Sequence, residues 1–466
     1  MGQKTRTEKD SLGSKEVPTD AYYGVQTLRA VENFPVSGLR AHPRLIFAYV
    51  SIKKACALAN RDLGGLDKAK ADAILKACDK ILSDLPSWQG SFVVDVYQAG
   101  AGTSFNMNTN EVITNLALEM TGKQKGDYAS IHPNDHVNMA QSTNDTFPTG
   151  SHVSVLLQVR ELLPVLRSLA KAFQSKGKEW VATIKSARTH LQDAVPITLG
   201  QEFAAYGAAI DACAEELERR SKLLCAVALG GTAAGTGANA SKEFRDKAVK
   251  HLGKITGLPL VPAADPRMAL QSHQPLAAVS SGLKEMALEL IRISNDLRLM
   301  CSGPTTGFAE IVLPAVQPGS SIMPGKVNPS IPECLNMLCF QIVGRDLAVA
   351  LAAQGGQMDL NVMTPLTAYN LLDSTQLLIN FLPQVERLCV AGIKADIDKC
   401  KEYFGKSLSL AALLNPKIGY AKAAEVFKEA LAKKTTVHKV VLDRKLLSEK
   451  ELDEIFDPRK VAGALD

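Results

Sequence analysis

The 466-residue sequence predicts an all-α fold, a three-part subunit organised around a central bundle of long helices. The clearest sign is a seam. Leu283, Met286, Leu290, Ile293, Leu297 and Met300 recur at alternating spacings of three and four, with Glu285, Glu289, Arg292 and Asp296 on the opposite side. Residues 331–353 add a segment that is apolar almost all round (Leu335, Met337, Leu338, Phe340, Ile342, Val343, Leu347, Val349, Leu351), which belongs in a deep core or a subunit contact. Composition agrees: 46% of residues are hydrophobic and only 5% aromatic, with Ala and Leu frequent throughout.

Along the chain, residues 1–141 hold shorter segments rich in Gly, Asn and Asp and are expected to form an N-terminal, mainly helical domain. Residues 142–395 carry the long helices. One is expected from about Val153 to Trp180, kinked at Pro164, and a second from about Ala204 to Ala228 with Glu215, Glu216, Glu218, Arg219 and Arg220 on its wet side. Glycine and proline mark the loops at 230–237, 262–266 and 303–325. Residues 396–466 form a small charged helical domain, and no fixed-period repeat appears.

Net charge is +5, and the densest basic stretch, 433–445, is interrupted by Val440, Val441, Leu442 and Asp443, which argues against nucleic-acid binding. The 9 cysteines are scattered and never spaced as CxxC, so neither a disulfide framework nor a zinc site is expected. The first residues lead into charge rather than an apolar run, and no uncharged apolar stretch of bilayer length follows. A cytoplasmic protein without membrane contact is expected. Gly235-Thr236-Gly237-Ala238-Asn239-Ala240 matches GxGxxA but lacks the flanking strand and βαβ context of a dinucleotide site. The 319–326 segment has the wrong spacing for a phosphate loop, and Val327 stands where a Ser or Thr would bind magnesium. His132-Pro133-Asn134-Asp135-His136 reads as a hydrogen-bonded loop pair rather than a metal site. No metal and no cofactor is called for.

Three polar islands interrupt the apolar sequence: 100–108, 141–145 together with 188–193, and 319–329. They supply hydroxyls, amides and backbone N–H groups with one Lys and one His among them. That inventory suits a dicarboxylate, with neutral donors around each carboxylate and a cation to balance charge. Helix capping favours the same residue types, so any single island has a second, purely structural explanation.

The run Gly319-Ser320-Ser321-Ile322-Met323-Pro324-Gly325-Lys326-Val327-Asn328-Pro329 resembles the signature loop of the aspartase/fumarase superfamily. Collinear likenesses extend over almost the whole chain: Asp20-Ala21-Tyr22-Tyr23-Gly24, Gly100 to Ser104, His132 to Asn138 with Ser142-Thr143-Asn144, Thr189 to Ala194, and Gly235-Thr236-Gly237. Tyr22 to Phe34, Ile331-Pro332-Glu333 and Leu360-Asn361-Val362-Met363 are worded more like the aspartate ammonia-lyase branch than class II fumarase. The resemblance implies an all-helical homotetramer with active sites shared between subunits, and a reversible anti elimination of ammonia from L-aspartate to give fumarate. Fumarate hydration on nearly the same site, or a non-catalytic scaffold, are the alternatives.

Carried over residue by residue, the resemblance makes Ser320 the base, acting as an alkoxide, and His190 a proton partner near the leaving ammonia. It assigns Thr103, Ser142, Thr143 and Ser321 to the carboxylate beside the lost proton. Lys326, Asn328 and Thr189 hold the other carboxylate, and Asn144 lies near the amine. Oriented loop N–H groups and Lys326 are the expected means of acidifying the Ser320 hydroxyl, on a loop resembling a mobile lid. Two departures stand out: Thr305-Thr306, where the family carries Arg and a small residue, and Ala187, where it carries Gly.

Overall fold

The computed structural model describes residues 4–463. Its architecture is helical, with four short two-stranded sheets among the described residues. Contact density divides the chain into two units: Met1–Leu163 with Glu215–Glu285 and Gln341–Ile379, and Pro164–Ala214 with Met286–Phe340 and Asn380–Asp466.

The long helices follow the periodicity. They span Thr143–Glu179, Leu199–Ser221, Gln274–Met300, Ser330–Gln354 and Thr364–Leu388. The expected 153–180 helix starts ten residues earlier, at Thr143, because its first turn is built from the polar island rather than from apolar residues. The expected 204–228 helix lies earlier too: it begins at Leu199, directly off a hairpin, and ends at Ser221 before a tight 3-10 turn over Lys222–Cys225. That hairpin, Ile184–Thr189 against Gln192–Thr198, is absent from the expectations. Its residues are mostly polar and present no period-two apolar signal.

In the first unit the helices Pro43–Asp62, Lys68–Ser83 and Thr103–Met120 are much longer than the short segments expected for 1–141. Asp67 caps the second through the N–H groups of Ala69 and Lys70. Residues 104–118 of the third are buried without interruption, polar ones included, so its pattern has no wet face from which a helical period could be read. Tyr49, Phe105 and Phe147 meet edge to face, with ring centroids 5.0 to 6.3 Å apart.

In the second unit, Phe173, Trp180, Phe203 and Tyr206 form a comparable aromatic cluster with centroids 4.8 to 6.0 Å apart. The C-terminal segment builds its own core from Leu410, Leu414, Val426, Val437, Val440, Val441 and Leu452.

The helix Ser330–Gln354 is long and apolar enough to cross a membrane by length and composition alone, with only 39% of its most apolar window buried. It nevertheless carries Arg345, paired with Asp373, and Asp346, which accepts from Ser280 Oγ at 2.7 Å and pairs with Lys284. The nine cysteines are free thiols; Cys56, Cys78, Cys339, Cys389 and Cys400 are buried.

Candidate active site

In the first unit the expected site residues gather at two helix starts. Ala101 (φ 59°) and Gly102 (φ 78°) turn the chain sharply into the helix that Thr103 opens. The Ala101 N–H donates to Val362 O at 2.7 Å. Gly102 is required twice over: its φ is left-handed, and a Cβ there would stand 1.9 Å from the Phe147 ring. Phe147 lies in the first turns of the helix that Thr143 begins, so the 100–108 and 141–145 islands are brought together. Thr103 is exposed at a helix start whose N-cap residue, Gly102, has no side chain to cap it, and Gln98 Oε1 takes the Phe105 N–H (2.9 Å).

The second start is pinned. Ser142 N donates to Asp145 Oδ1 (3.1 Å) while Ser142 Oγ accepts from Asn144 N (3.2 Å), a reciprocal cap. Asp145 Oδ2 accepts from Gly230 N (3.0 Å) and Thr232 N (2.8 Å), and Asn144 Nδ2 donates to Ala233 O (2.8 Å). The 230–237 loop, dismissed as a nucleotide fingerprint, is thereby the backing of the Ser142–Asn144 segment. Burial pushes the Asp145 carboxyl up to about 6 against the pull of those N–H donors.

In the second unit Thr189 and His190 sit at the tip of the unexpected hairpin. His190 (φ 57°) and Leu191 (φ 59°) form its two-residue turn, both with positive φ as a type I′ turn requires. Both Thr189 and His190 are exposed. Ala187 falls at the bulge between Ser186 and Arg188, an ordinary backbone site for alanine, so the missing glycine costs nothing visible. Arg188 donates to Glu310 Oε1 at 2.7 Å and lies over the rings of Phe308 (4.3 Å) and Tyr403 (5.3 Å). Thr305 and Thr306 are exposed in the loop preceding Phe308, and nothing in the structure explains the loss of the family's Arg there.

The signature loop closes on itself. Gly319 N donates to Lys326 O (2.8 Å) and Asn328 Nδ2 to Gly319 O (2.7 Å). A Cβ at Gly319 would meet Lys326 O at 2.6 Å. Within this ring, Ser320 Oγ accepts from Ile322 N (3.2 Å) and Met323 N (3.0 Å). Two amide dipoles aimed at one hydroxyl oxygen stabilise negative charge on it and lower the cost of an alkoxide. Ser321 and Lys326 are exposed, and among the described residues Lys326 Nζ makes no ion pair. Lys326 and Asn328 border a cavity of about 560 Å³ that Arg298, Cys301 and Asp396 also line. No hydrogen bond joins the loop to the hairpin tip among the described residues.

The lyase family model matches residues 13–344, and a fumarase C C-terminal model matches residues 410–463. This chain belongs to the aspartase/fumarase family. It is 48% identical to a Pseudomonas aeruginosa aspartate ammonia-lyase, covering 98% of this chain and 97% of that one. Among solved structures, a fumarate lyase:delta crystallin from Brucella melitensis superposes with a TM-score of 0.95 at 47% identity, over 98% and 99% of the two chains. A class II fumarase from Schistosoma mansoni gives 0.94 at 36% identity, again over 98% and 99%.

Sequence reasoning, even with the aspartase/fumarase resemblance, gave no role to the buried residues that hold the expected site residues in place: Asp145, inside the 141–145 island itself, and Lys53 and Glu310, which bond to residues of the islands from elsewhere in the chain. The available signal for Lys53 was a lysine on the apolar stripe of Tyr49, Ile52 and Cys56. Glu310, in a loop rich in Gly and Thr, offered none. Among the described residues no group of three or more His, Cys, Asp or Glu could hold a metal ion. His132 and His136 are spent on a turn: His136 Nδ1 accepts from His132 N (2.7 Å), and His132 Nδ1 accepts from Asn134 and Asp135 N (3.2 Å each).

Proposed function

We propose that this chain is a carbon–nitrogen lyase, an aspartate ammonia-lyase that reversibly eliminates ammonia from L-aspartate to give fumarate. The carrying observation is the Ser320 hydroxyl oxygen facing two loop N–H groups, with the unpaired Lys326 ammonium on the same loop. Relatives of that named activity, 44% to 48% identical over 98% of the chain, support the choice of amine over water as the leaving group.

The chemical difficulty is the proton on Cβ, which is only weakly acidic. Ser320 as alkoxide takes it. The C–H electron pair passes into the adjacent carboxylate, giving a dianionic aci-carboxylate, and returns to form the double bond as the Cα–N pair departs with ammonia. Thr103, Ser142, Thr143 and Ser321 serve the carboxylate that gains charge, each such donor contributing about 3 kcal/mol in comparable oxyanion sites. Lys326, Asn328 and Thr189 hold the other carboxylate; Asn144 and His190 face the leaving amine. No cofactor takes part.

The reading extends to a homotetramer with active sites shared between subunits, in the cytoplasm, each subunit divided at about residues 141 and 395. The helix Ser330–Gln354 supports assembly: Met337, Phe340, Leu347 and Leu351 are 57% to 63% exposed, apolar surface that a folded chain seldom leaves in water. Incubation with L-aspartate and, separately, L-malate, following fumarate by its ultraviolet absorbance, tests the function. Fumarate from aspartate alone is expected. Fumarate from malate alone makes the chain a fumarase, and none from either turns attention to Thr305 and to a different amine-bearing dicarboxylate.

A further inference from the structure

Lys53 has a peculiar environment. It lies in the helix Pro43–Asp62, is 0% exposed, and has Tyr49, Ile52 and Cys56 as buried neighbours on its own helix. Among the described residues its ammonium makes no ion pair, although the buried Asp145 carboxylate lies near enough to favour its charge. Instead its three N–H donors go to three amide oxygens: Asn106 Oδ1 (2.7 Å), Asn138 Oδ1 (2.8 Å) and Gln141 Oε1 (2.9 Å). Burying a cation whose direct contacts are neutral amides is costly, and burial pushes this ammonium down to about 7, only partly offset by the Asp145 charge. A methionine would fill the same volume without that cost, so the helix alone gives no reason for a lysine.

The reason lies in what the three acceptors belong to. Asn106 stands one turn beyond Thr103 on the same helix. Asn138 and Gln141 belong to the short turn that runs directly into Ser142-Thr143-Asn144. Asn138 Oδ1 also accepts from Asn106 Nδ2 (3.3 Å) and Asn110 Nδ2 (3.2 Å), and Gln141 Nε2 ties back to Val137 O and Met139 O. The two segments are distant in sequence, and Lys53 holds an oxygen from each.

We propose that Lys53 is a positioning residue: its ammonium clamps the Thr103 helix start to the Ser142–Asn144 segment and so fixes the spacing of the donors around one substrate carboxylate. This rests on the assignment of those donors made above. The clamp acts on the reaction because the carboxylate they serve gains its second charge only in the transition state. A misplaced donor set therefore lowers kcat more than it raises KM. A lysine with a merely structural role behaves differently when replaced: the folded fraction drops, while kcat and KM per folded site stay at wild-type values.

The test compares wild type, Lys53→Met, Gln141→Met and, as a control on the same helix, Lys54→Met. Lys54 pairs with Asp79 and touches neither segment. Two readouts are taken on the full-length protein: kcat and KM for L-aspartate per folded site, and amide hydrogen exchange. Lys53→Met is expected to lose at least 30-fold in kcat with KM changed less than 5-fold, and to lose protection in 103–110 and 138–146 but not in 274–300. Gln141→Met shows the same pattern at about 5-fold in kcat, and Lys54→Met matches wild type. Wild-type kcat per folded site in Lys53→Met overturns the proposal. Where Lys53→Met does not fold, Gln141→Met decides by the same criterion. If wild type fails to turn over aspartate, the functional assignment falls separately, and unchanged exchange in both segments then overturns the clamp.

Discussion

The Glu310 carboxylate, wholly buried, receives Arg188 Nη1 on one oxygen and Lys185 Nζ on the other, both at 2.7 Å. Lys185 also reaches Glu202 at 2.8 Å. Arg188 is the residue before Thr189 and His190, so this ion network forms the root of the hairpin whose tip carries two proposed site residues. Glu310→Leu leaves Arg188 without its carboxylate in a mostly buried setting. Loss of about 3–5 kcal/mol in unfolding free energy is expected, the usual result of breaking a buried pair, measured by denaturant titration. Wild-type stability in that variant removes the network from its anchoring role.

Ser320→Ala removes the proposed base and is expected to leave helix content and oligomeric state unchanged. Turnover of L-aspartate should fall by about 10³-fold or more, the weight of a positioned general base. Fumarate absorbance reads the rate, and retained turnover takes Ser320 out of the role.

Lys326→Ala acts differently. It deletes the proposed charge-assisted contact to a substrate carboxylate and should raise KM for L-aspartate about 10–100-fold. Unchanged saturation behaviour sinks the assignment.

Gly102→Ala places a methyl where the Phe147 ring stands, at a residue with φ +78°. Overpacking and the left-handed backbone together cost about 2–5 kcal/mol. The displaced Thr103 should also lower kcat/KM. The double variant Gly102→Ala/Phe147→Leu relieves the clash and should recover part of the stability but none of the backbone strain, which thermal unfolding of both variants distinguishes.

Glu111 provides the pH prediction. Its buried carboxylate caps the helix Val25–Asn33, accepting from Gly24 N (2.8 Å), Gln26 N (2.9 Å), Thr27 N (3.1 Å) and Thr27 Oγ1 (2.5 Å). Burial raises it to about 7, and these donors only partly offset the shift. A carboxyl raised in the folded state binds its proton more tightly folded than unfolded. Stability from this group is therefore greatest at low pH and falls as pH rises from about 4.5 to 7, by roughly 1 kcal/mol per pH unit. Glu111→Gln should flatten that slope in unfolding titrations between pH 5 and 7, and an unaltered slope refutes the assignment.

The sequence by itself determined the helical class, the seam of Leu283 to Met300, the loops at 230–237 and 303–325, and the family signature at 319–329. Those signals are local: a helix shows itself through contacts three and four residues apart, and a signature loop through adjacent side chains and glycines. The tertiary structure alone decided the hairpin that presents His190, because its polar strands carry no alternation, and the buried helix 103–120, because polar residues fill a core only when distant partners satisfy them. The same reason hid Lys53 and Glu310 and the anchoring role of Asp145. A charge inside a protein is stable through the particular donors and acceptors that other segments bring to it, and one-dimensional spacing holds no record of that meeting.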